Sequence, residues 1–186
     1  MAEVFSRDRL QPALLDRLVD DSPNSAVEPM EARAIGRTRL RQCVLRDLSW
    51  LFNAQATLED EVRDPAEFRH ALHSTVNYGM PPLAGKLVSK VEMLDLENAL
   101  RQAILDFEPR ILPDSLTVRG LPPRDPLGHH NVLTFEITGR LWAQPYPLEL
   151  MLKTDLDLET GMVELRDRSG STVQMIDQAG GDPGGR

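Results

Sequence analysis

A chain of 186 residues with 41% hydrophobic and 27% charged residues can bury one core, which argues against a largely disordered protein. A formal net charge of −8 argues against nucleic-acid binding through a broadly basic surface. The single cysteine, Cys43, excludes an intrachain disulfide, and no apolar run reaches the about 20 residues of a membrane span. We therefore expect one main cytoplasmic domain with no direct membrane insertion.

Residues 1–37 are predicted to be a flexible N-terminal lead that carries one short amphipathic helix. The helix has an apolar stripe at helical spacing, formed by Leu10, Leu14, Leu15 and Leu18. Acids, Ser, Asn and Pro follow it and favour a loop. The stripe packs either on its own domain or on a partner, and the sequence leaves both open.

Residues 38–170 are predicted to form the main domain, which begins with a long helix over "TRLRQCVLRDLSWLFNA". Apolar residues recur on one face at spacings of three and four: Leu40, Val44, Leu48, Leu51 and Phe52. Cys43 lies within this pattern and is interpreted as a packed or idle thiol. A possible short helix at 65–73 and the loop "NYGMPPLAG" come next, where Pro and Gly exclude a continuous helix.

A second long helix is predicted over 86–107. Its apolar residues are Leu87, Val91, Leu94, Ala103, Ile104 and Phe107. It should end at or just before Glu108, because Pro109 disfavours helical geometry in the residue before it.

The pattern then changes to the alternation of β-strands. Strands are predicted at 115–120, at 131–143 and from 147 to about 158, and the turn "ETG" leads to Val163 and Leu165. These elements predict an α+β fold: two main helices packed on a small antiparallel β-sheet with one wet face. Residues 171–186 are Gly-rich and predicted to be a disordered tail.

The residue types that bind metals do not form a convincing site in the sequence. His70 and His73 share a helix face, and His129 and His130 are adjacent, but zinc usually needs three converging ligands. Acids on the last strands lack the loop geometry of a calcium or magnesium site: Asp155, Asp157 and Glu159. Common hydrolase, nucleotide-binding and redox motifs are missing from the sequence. We predict no metal, no cofactor and no catalytic residues.

The segment "DFEPRIL" at 106–112 places Glu108, Pro109 and Arg110 between Phe107 and Ile111. An extended chain at the proline would project the acid and the guanidinium to the same side. A glycosidase acid at Glu108 would have to keep its proton, and the neighbouring arginine favours the ionised form. Binding of a partner's carboxylate, or a charge pair in an interface, suits the arginine better. An ion pair internal to the domain is the remaining interpretation.

Five motifs occur in an order that resembles the TssE family, the small baseplate wedge subunits of bacterial type VI secretion systems. Over roughly residues 10–165 these are "LLDRLVDD", "LRQCVLRDLSWLFNA", "STVNYGMPPLAG", "AILDFEPRIL" and "DLDLETGMVEL". The TssE family is similar in turn to the short wedge proteins of contractile phage tails. Motifs in series are more specific than any one of them.

The resemblance implies a structural protein that resembles the strand-exchanging domain of contractile sheath subunits. Its implied partners are the wedge proteins TssF and TssG, with TssK in the same assembly, and the sheath subunits. It implies that Glu108, Pro109 and Arg110 form the partner-binding motif. The family also carries a lysozyme-like label, which keeps a peptidoglycan glycosidase with Glu108 as general acid as the alternative. A purely regulatory binding module is a third hypothesis.

Overall fold

The computed structural model describes residues 10, 13–18, 36–58, 62, 64–82, 93–122 and 132–167. Four α-helices lie in this part of the chain: α1 (Leu14–Leu18), α2 (Arg37–Asn53), α3 (Arg69–Leu72) and α4 (Met93–Phe107). Short 3-10 turns span Thr75–Asn77 and Pro113–Ser115. The strands are β1 (Thr117–Leu121), β2 (Val132–Leu141), β3 (Leu148–Asp157) and β4 (Val163–Asp167). The predicted α+β class is confirmed.

The four strands form one antiparallel sheet in the order β1-β2-β3-β4. The residues predicted to alternate do so, and Ile137 of β2 lies opposite Val118 of β1 and Leu152 of β3. Because side chains alternate along a strand, one face of the sheet supplies a continuous apolar layer. Its most deeply buried members are Phe135, Ile137, Leu141, Leu152 and Leu165.

Helix α2 lies on this layer, as its sequence predicts. The five apolar residues of its predicted face, Leu40, Val44, Leu48, Leu51 and Phe52, are all buried. Cys43 is a buried free thiol on the same helix. The helix contacts β4 and α4, so it covers the last strand of the sheet. None of the described helices is long and apolar enough to cross a membrane.

Helix α4 is described from Met93, so the predicted helical stretch 86–92 lies outside the described residues. Its buried residues are Leu96, Leu100, Ala103 and Ile104. The prediction that Leu94 lies on the apolar face is wrong, since its exposed fraction is 62%. Leu94 precedes Leu96 by two residues, which is about 200° around a helix of 3.6 residues per turn.

The segment between α2 and α4 returns to the end of α2 through Gly79. The main-chain N–H of Met80 donates to the carbonyl of Ala54, and the N–H of Ala56 donates to the carbonyl of Met80. Gly79 has φ of 133°, and a Cβ there would collide with the main chain of Ala54. Only glycine fits this close approach. Helix α3 is shorter than the predicted 65–73 and has no buried residue.

The N-terminal lead contributes α1, a helix of five residues within the stretch predicted to be helical. Its leucines do not pack on the domain: Leu14, Leu15 and Leu18 have exposed fractions of 70%, 43% and 72%. Leu10 is partly buried against the core. The rest of the lead outside the described ranges and the predicted tail at 171–186 lie outside the described residues, so the domain boundaries stay predictions.

Candidate partner-binding site

The turn that follows α4 carries Glu108, Pro109 and Arg110. The N–H of Ile111 donates to the carbonyl of Glu108 over 3.1 Å, which closes a β-turn with proline in its second position. The expectation of an extended chain here is wrong, because proline's fixed φ suits this turn position equally well. The two charged side chains nevertheless project to the same side, where they meet. Ile111 is buried beneath them.

Glu108 and Arg110 form a bidentate ion pair. Nε of Arg110 donates to Oε1 of Glu108 over 2.7 Å, and Nη2 donates to Oε2 over 2.5 Å. The main-chain N–H of Arg110 also donates to Oε1 over 3.1 Å. The exposed fractions of the two residues are 3% and 8%, so the pair is internal to the domain. Pro109 between them is exposed.

Two further acids and a second arginine extend the pair into a charge network. Nη2 of Arg110 also donates to Oδ2 of Asp47 on α2 over 2.5 Å. Oδ1 of Asp47 accepts two hydrogen bonds from Arg46, which also donates to Oδ1 of Asp16 on α1 over 2.7 Å. We call Asp16, Arg46, Asp47, Glu108 and Arg110 the charge network. It ties α1, α2 and the turn after α4 together.

The charge network keeps Arg110 and Asp16 ionised. Burial opposes the charge on Arg110, but hydrogen bonds and the charges of Glu108 and Asp47 raise the pKa of the guanidinium well above its ordinary value. Burial likewise opposes ionisation of Asp16, yet hydrogen bonds from Arg46 and Cys43 leave its pKa below the ordinary aspartate value. Both groups are therefore charged at neutral pH.

Within the described part of the chain, one nitrogen of the buried guanidinium lacks a hydrogen-bond partner. Nη1 of Arg110 is buried and has no hydrogen-bond partner among the described residues. Oδ2 of Asp16 lies 3.8 Å from this nitrogen, which is too long for a hydrogen bond. A buried donor without a partner costs about 1–3 kcal/mol. Native proteins contain few buried donors of this kind, so the unpaired Nη1 calls for a physical explanation.

Arg110 lines a cleft of about 320 Å³ between α2, α4 and the start of α1. Its other lining residues are Ala13, Asp47, Leu48, Trp50, Leu51, Tyr78, Phe107, Glu108 and Pro109. Tyr78 and Phe107 meet edge to face with ring centroids 5.1 Å apart. Arg46 lies over the ring of Trp50 at 4.9 Å. We call this space the Arg110 cleft; its walls are largely apolar and its charge comes from the network.

The Arg110 cleft and its turn lie within the part of the chain that matches a known protein family. The family model described as baseplate wedge protein gp25 matches residues 38–146. The chain belongs to this family. Curated proteins and solved structures gave no significant match. The resemblance derived from the five motifs is thereby confirmed, and a structural role in a baseplate wedge follows from the family.

The position of Glu108 in this gp25 family member disfavours the glycosidase alternative. Both carboxylate oxygens accept hydrogen bonds from Arg110, and the side chain is almost fully covered. A general acid must reach its substrate and deliver a proton, so a buried carboxylate held by a guanidinium is poorly placed for that role. The structural family agrees with this geometry.

His73 and Asp157 of this wedge-family chain make local contacts. Nδ1 of His73 lies 2.7 Å from Oδ2 of Asp106 on α4, and His70 is exposed. Asp157 accepts the N–H of Glu159 in the turn after β3. Among the described residues, no three metal-binding side chains gather at one place. His129 and His130 lie outside the described residues.

Three members of the charge network escaped sequence reasoning: Asp16, Arg46 and Asp47. Asp16 interrupts a leucine stripe, and the stripe alone gives no sign that the buried side chain is the acid. Arg46 and Asp47 occupy polar positions of an otherwise regular amphipathic pattern. The available signal was their helical spacing from Cys43 and Trp50, which places all four on one side of α2.

Proposed function

We propose that this gp25-family chain is a TssE-type wedge subunit of a bacterial type VI secretion system. In this role it holds the wedge scaffold, meaning TssF and TssG, shares the assembly with TssK, and helps to start the contractile sheath. It works at the cytoplasmic side of the inner membrane. The order of the five motifs and the family membership support this proposal, and the acidic net charge suits protein partners better than nucleic acid.

The observation that carries the proposal is the Arg110 cleft. Glu108 and Arg110 are buried, so they do not form an exposed charged patch. They instead form the charged base of a cleft that Pro109 borders on the outside. Trp50, with 44% of its surface exposed, lies at the same cleft. Tryptophan and arginine are enriched among residues that dominate binding energy, which suits a docking site for the wedge scaffold.

A surface variant at Pro109 tests the docking role without disturbing the buried ion pair. Pro109→Glu adds an acid at the mouth of a cleft that already contains Asp47 and Glu108. We expect it to lower co-purification with the wedge scaffold at least tenfold while the unfolding midpoint stays within a few degrees. Pro113→Glu is the matched control, because Pro113 is also exposed and does not line the cleft.

Equal co-purification of the two variants would overturn the assignment of this cleft.

Arg110→Glu is a weaker test of docking than Pro109→Glu, because Arg110 is buried. It would gather four acids, since Asp16, Asp47 and Glu108 already surround the position. Uncompensated buried charge destabilises a fold by several kcal/mol, roughly 3–5. Loss of binding in that variant could reflect unfolding alone.

The proposed sheath contact uses an edge of the sheet. Strand addition needs unpaired main-chain groups, which edge strands provide. Helices cover one point on each edge: Glu97 accepts the N–H of Gly120 in β1, and the Asn53 amide makes two hydrogen bonds with the main chain of Val163 in β4. The other main-chain groups on the outer edges of β1 and β4 are the candidates for pairing with a sheath strand.

Photo-crosslinking locates the sheath contact. A crosslinking residue is placed at Arg119 on β1 or at Arg166 on β4, both of which are exposed. We expect one of the two positions to yield a covalent adduct with the sheath subunit in assembled sheaths. Adducts from neither position would contradict strand addition at this sheet, while leaving the wedge role intact.

A cell-wall turbidity assay separates the proposal from the glycosidase alternative. The proposal predicts no clearing of purified peptidoglycan by the wild-type chain. Clearing that disappears in Glu108→Gln, with the variant still folded, would favour the enzyme.

A further inference from the structure

Helix α1 is attached to the domain by its acid rather than by its leucines. The Asp16 side chain has an exposed fraction of 2%, whereas Leu14, Leu15 and Leu18 face outward. Asp16 also accepts a hydrogen bond from the N–H of Ala13, which holds the start of the helix. A helix of five residues is not stable alone in water, so its position depends on contacts with the domain, and the buried carboxylate of Asp16 makes a charged one.

Asp16 lies over one side of α2. It binds Arg46 directly, and its hydrogen bond and charge help to raise the pKa of the buried Cys43 thiol to about 11, after burial itself. Cys43, Arg46, Asp47 and Trp50 follow one another at helical spacing, so α1 covers a single stripe of α2. The Arg110 cleft adjoins this stripe, since Asp47 and Trp50 line it together with Ala13.

Asp16 neither balances the charge of the network nor supplies all of its hydrogen bonds. The network without it holds two arginines and two acids and is balanced, and Asp16 brings the net charge to −1. Its carboxylate reaches Arg46, but it stops 3.8 Å from Nη1 of Arg110. The Arg110 side chain is nine-tenths buried, and Nη1 remains without a hydrogen bond.

The N-terminal lead also covers the apolar walls of the cleft only in part. The described residue of the N-terminal lead that lines the cleft is Ala13, just before α1, whose side chain is a single methyl group. The cleft therefore keeps about 320 Å³ of open space beside Trp50, Tyr78 and Phe107. An occupant that fills it must combine a carboxylate for Nη1 with larger apolar side chains.

We propose that α1 is an intramolecular stand-in, and that the Arg110 cleft binds a partner helix carrying one carboxylate beside large apolar residues, which displaces α1. Exchange is favoured over addition, because a second carboxylate beside Asp16 would make the network −2. The inference rests on the proposed docking role of the cleft and specifies the chemistry of the occupant.

The single cysteine reports on α1 in the full-length protein. Cys43 alkylation by iodoacetamide at pH 8 is followed by mass spectrometry of its peptide, which separates it from thiols of other proteins. Release of α1 uncovers Cys43 and removes the effect of Asp16 on its pKa, so more thiolate forms. We expect Asp16→Asn to raise the alkylation rate at least tenfold. Asp114→Asn, at an exposed aspartate, is the matched control and should leave it unchanged.

The second arm adds the TssF–TssG pair to the wild-type chain. We expect saturating scaffold to raise the Cys43 alkylation rate, and Asp16→Asn to bind the scaffold more tightly than wild type. A rate unchanged by Asp16→Asn would overturn the stand-in role of α1. Scaffold that binds wild type and leaves the rate unchanged would mean docking over α1, which overturns the exchange but not the docking role. Failure of scaffold to bind wild type would instead overturn the proposed function, and with it the partner half of the inference.

Discussion

Arg110 and Asp47 lie 63 residues apart in the chain, yet Nη2 of Arg110 is 2.5 Å from Oδ2 of Asp47. This contact joins the turn after α4 to the middle of α2. The same nitrogen also donates to Glu108, so Asp47 and Glu108 hold the guanidinium from two sides. The proposed docking at the Arg110 cleft would therefore depend on a network that also stabilises the fold.

Asp47→Ala should destabilise the domain. Asp47 accepts charged hydrogen bonds from both Arg46 and Arg110, and hydrogen bonds to charged groups contribute about 1.5–3 kcal/mol each. We expect the free energy of unfolding to fall by about 2–3 kcal/mol, because Glu108 still pairs with Arg110. Urea unfolding measures it, with exposed Asp114→Ala as the control. A loss below about 0.5 kcal/mol, the range of ordinary surface substitutions, would show that Asp47 has no stabilising role.

Gly79→Ala should also destabilise the fold, for a steric reason. Gly79 has φ of 133°, and an added Cβ meets the main chain of Ala54. We expect a loss of at least about 2 kcal/mol in the free energy of unfolding. Gly36→Ala is the matched control, since nothing lies within 4 Å of a Cβ at Gly36 and its φ is −72°. Equal effects of the two substitutions would contradict the close approach.

Arg41 anchors the start of α2 to the sheet. It donates twice to Asp167 at the end of β4, and once to the carbonyl of Glu149 in β3. We expect Arg41→Gln to lower the free energy of unfolding by about 1–2 kcal/mol, since a bidentate charged contact is lost. Exposed Arg101→Gln on α4 provides the control. If the two variants unfold at the same urea concentration, the anchor contributes nothing.

The contribution of Asp16 should depend on pH in a defined direction. Its pKa in the folded chain lies below the ordinary value of 3.8, so its charged form stabilises the fold. The stability difference between wild type and Asp16→Asn should be complete above pH 3.8 and decline as the pH falls through the lowered pKa. Urea titrations between pH 2 and pH 6 measure it. A difference that grows on acidification would contradict the ionised, paired state of Asp16.

Periodicity predicted most of the fold because burial on one face imposes it directly. The apolar stripe of α2 and the alternation in β2 and β3 are consequences of one-sided packing. Leu94 was misplaced because a two-residue offset from the true stripe still looks apolar in the sequence. The turn at Pro109 was mistaken for extended chain, because proline's φ is compatible with both.

The candidate site was only half visible in the sequence. Glu108 and Arg110 stand out because charges interrupt an apolar segment, and their mutual contact is local. Their contacts with Asp47 and Asp16 join residues far apart in the chain, which no local pattern encodes. Nothing in the sequence indicated that the pair is buried, because charged residues are usually exposed unless they have partners, and here the partners are distant in the chain.

Photo-crosslinking from the Arg110 cleft locates the docking site on the wedge scaffold. A crosslinking residue replaces Trp50 at the cleft or, as the control, Tyr146, which is also exposed and does not line the cleft. We expect an adduct between position 50 and TssF or TssG in assembled wedges, and a marked reduction of that adduct in Pro109→Glu. Adducts to the scaffold from position 146 with none from position 50 would contradict docking at the Glu108–Pro109–Arg110 turn.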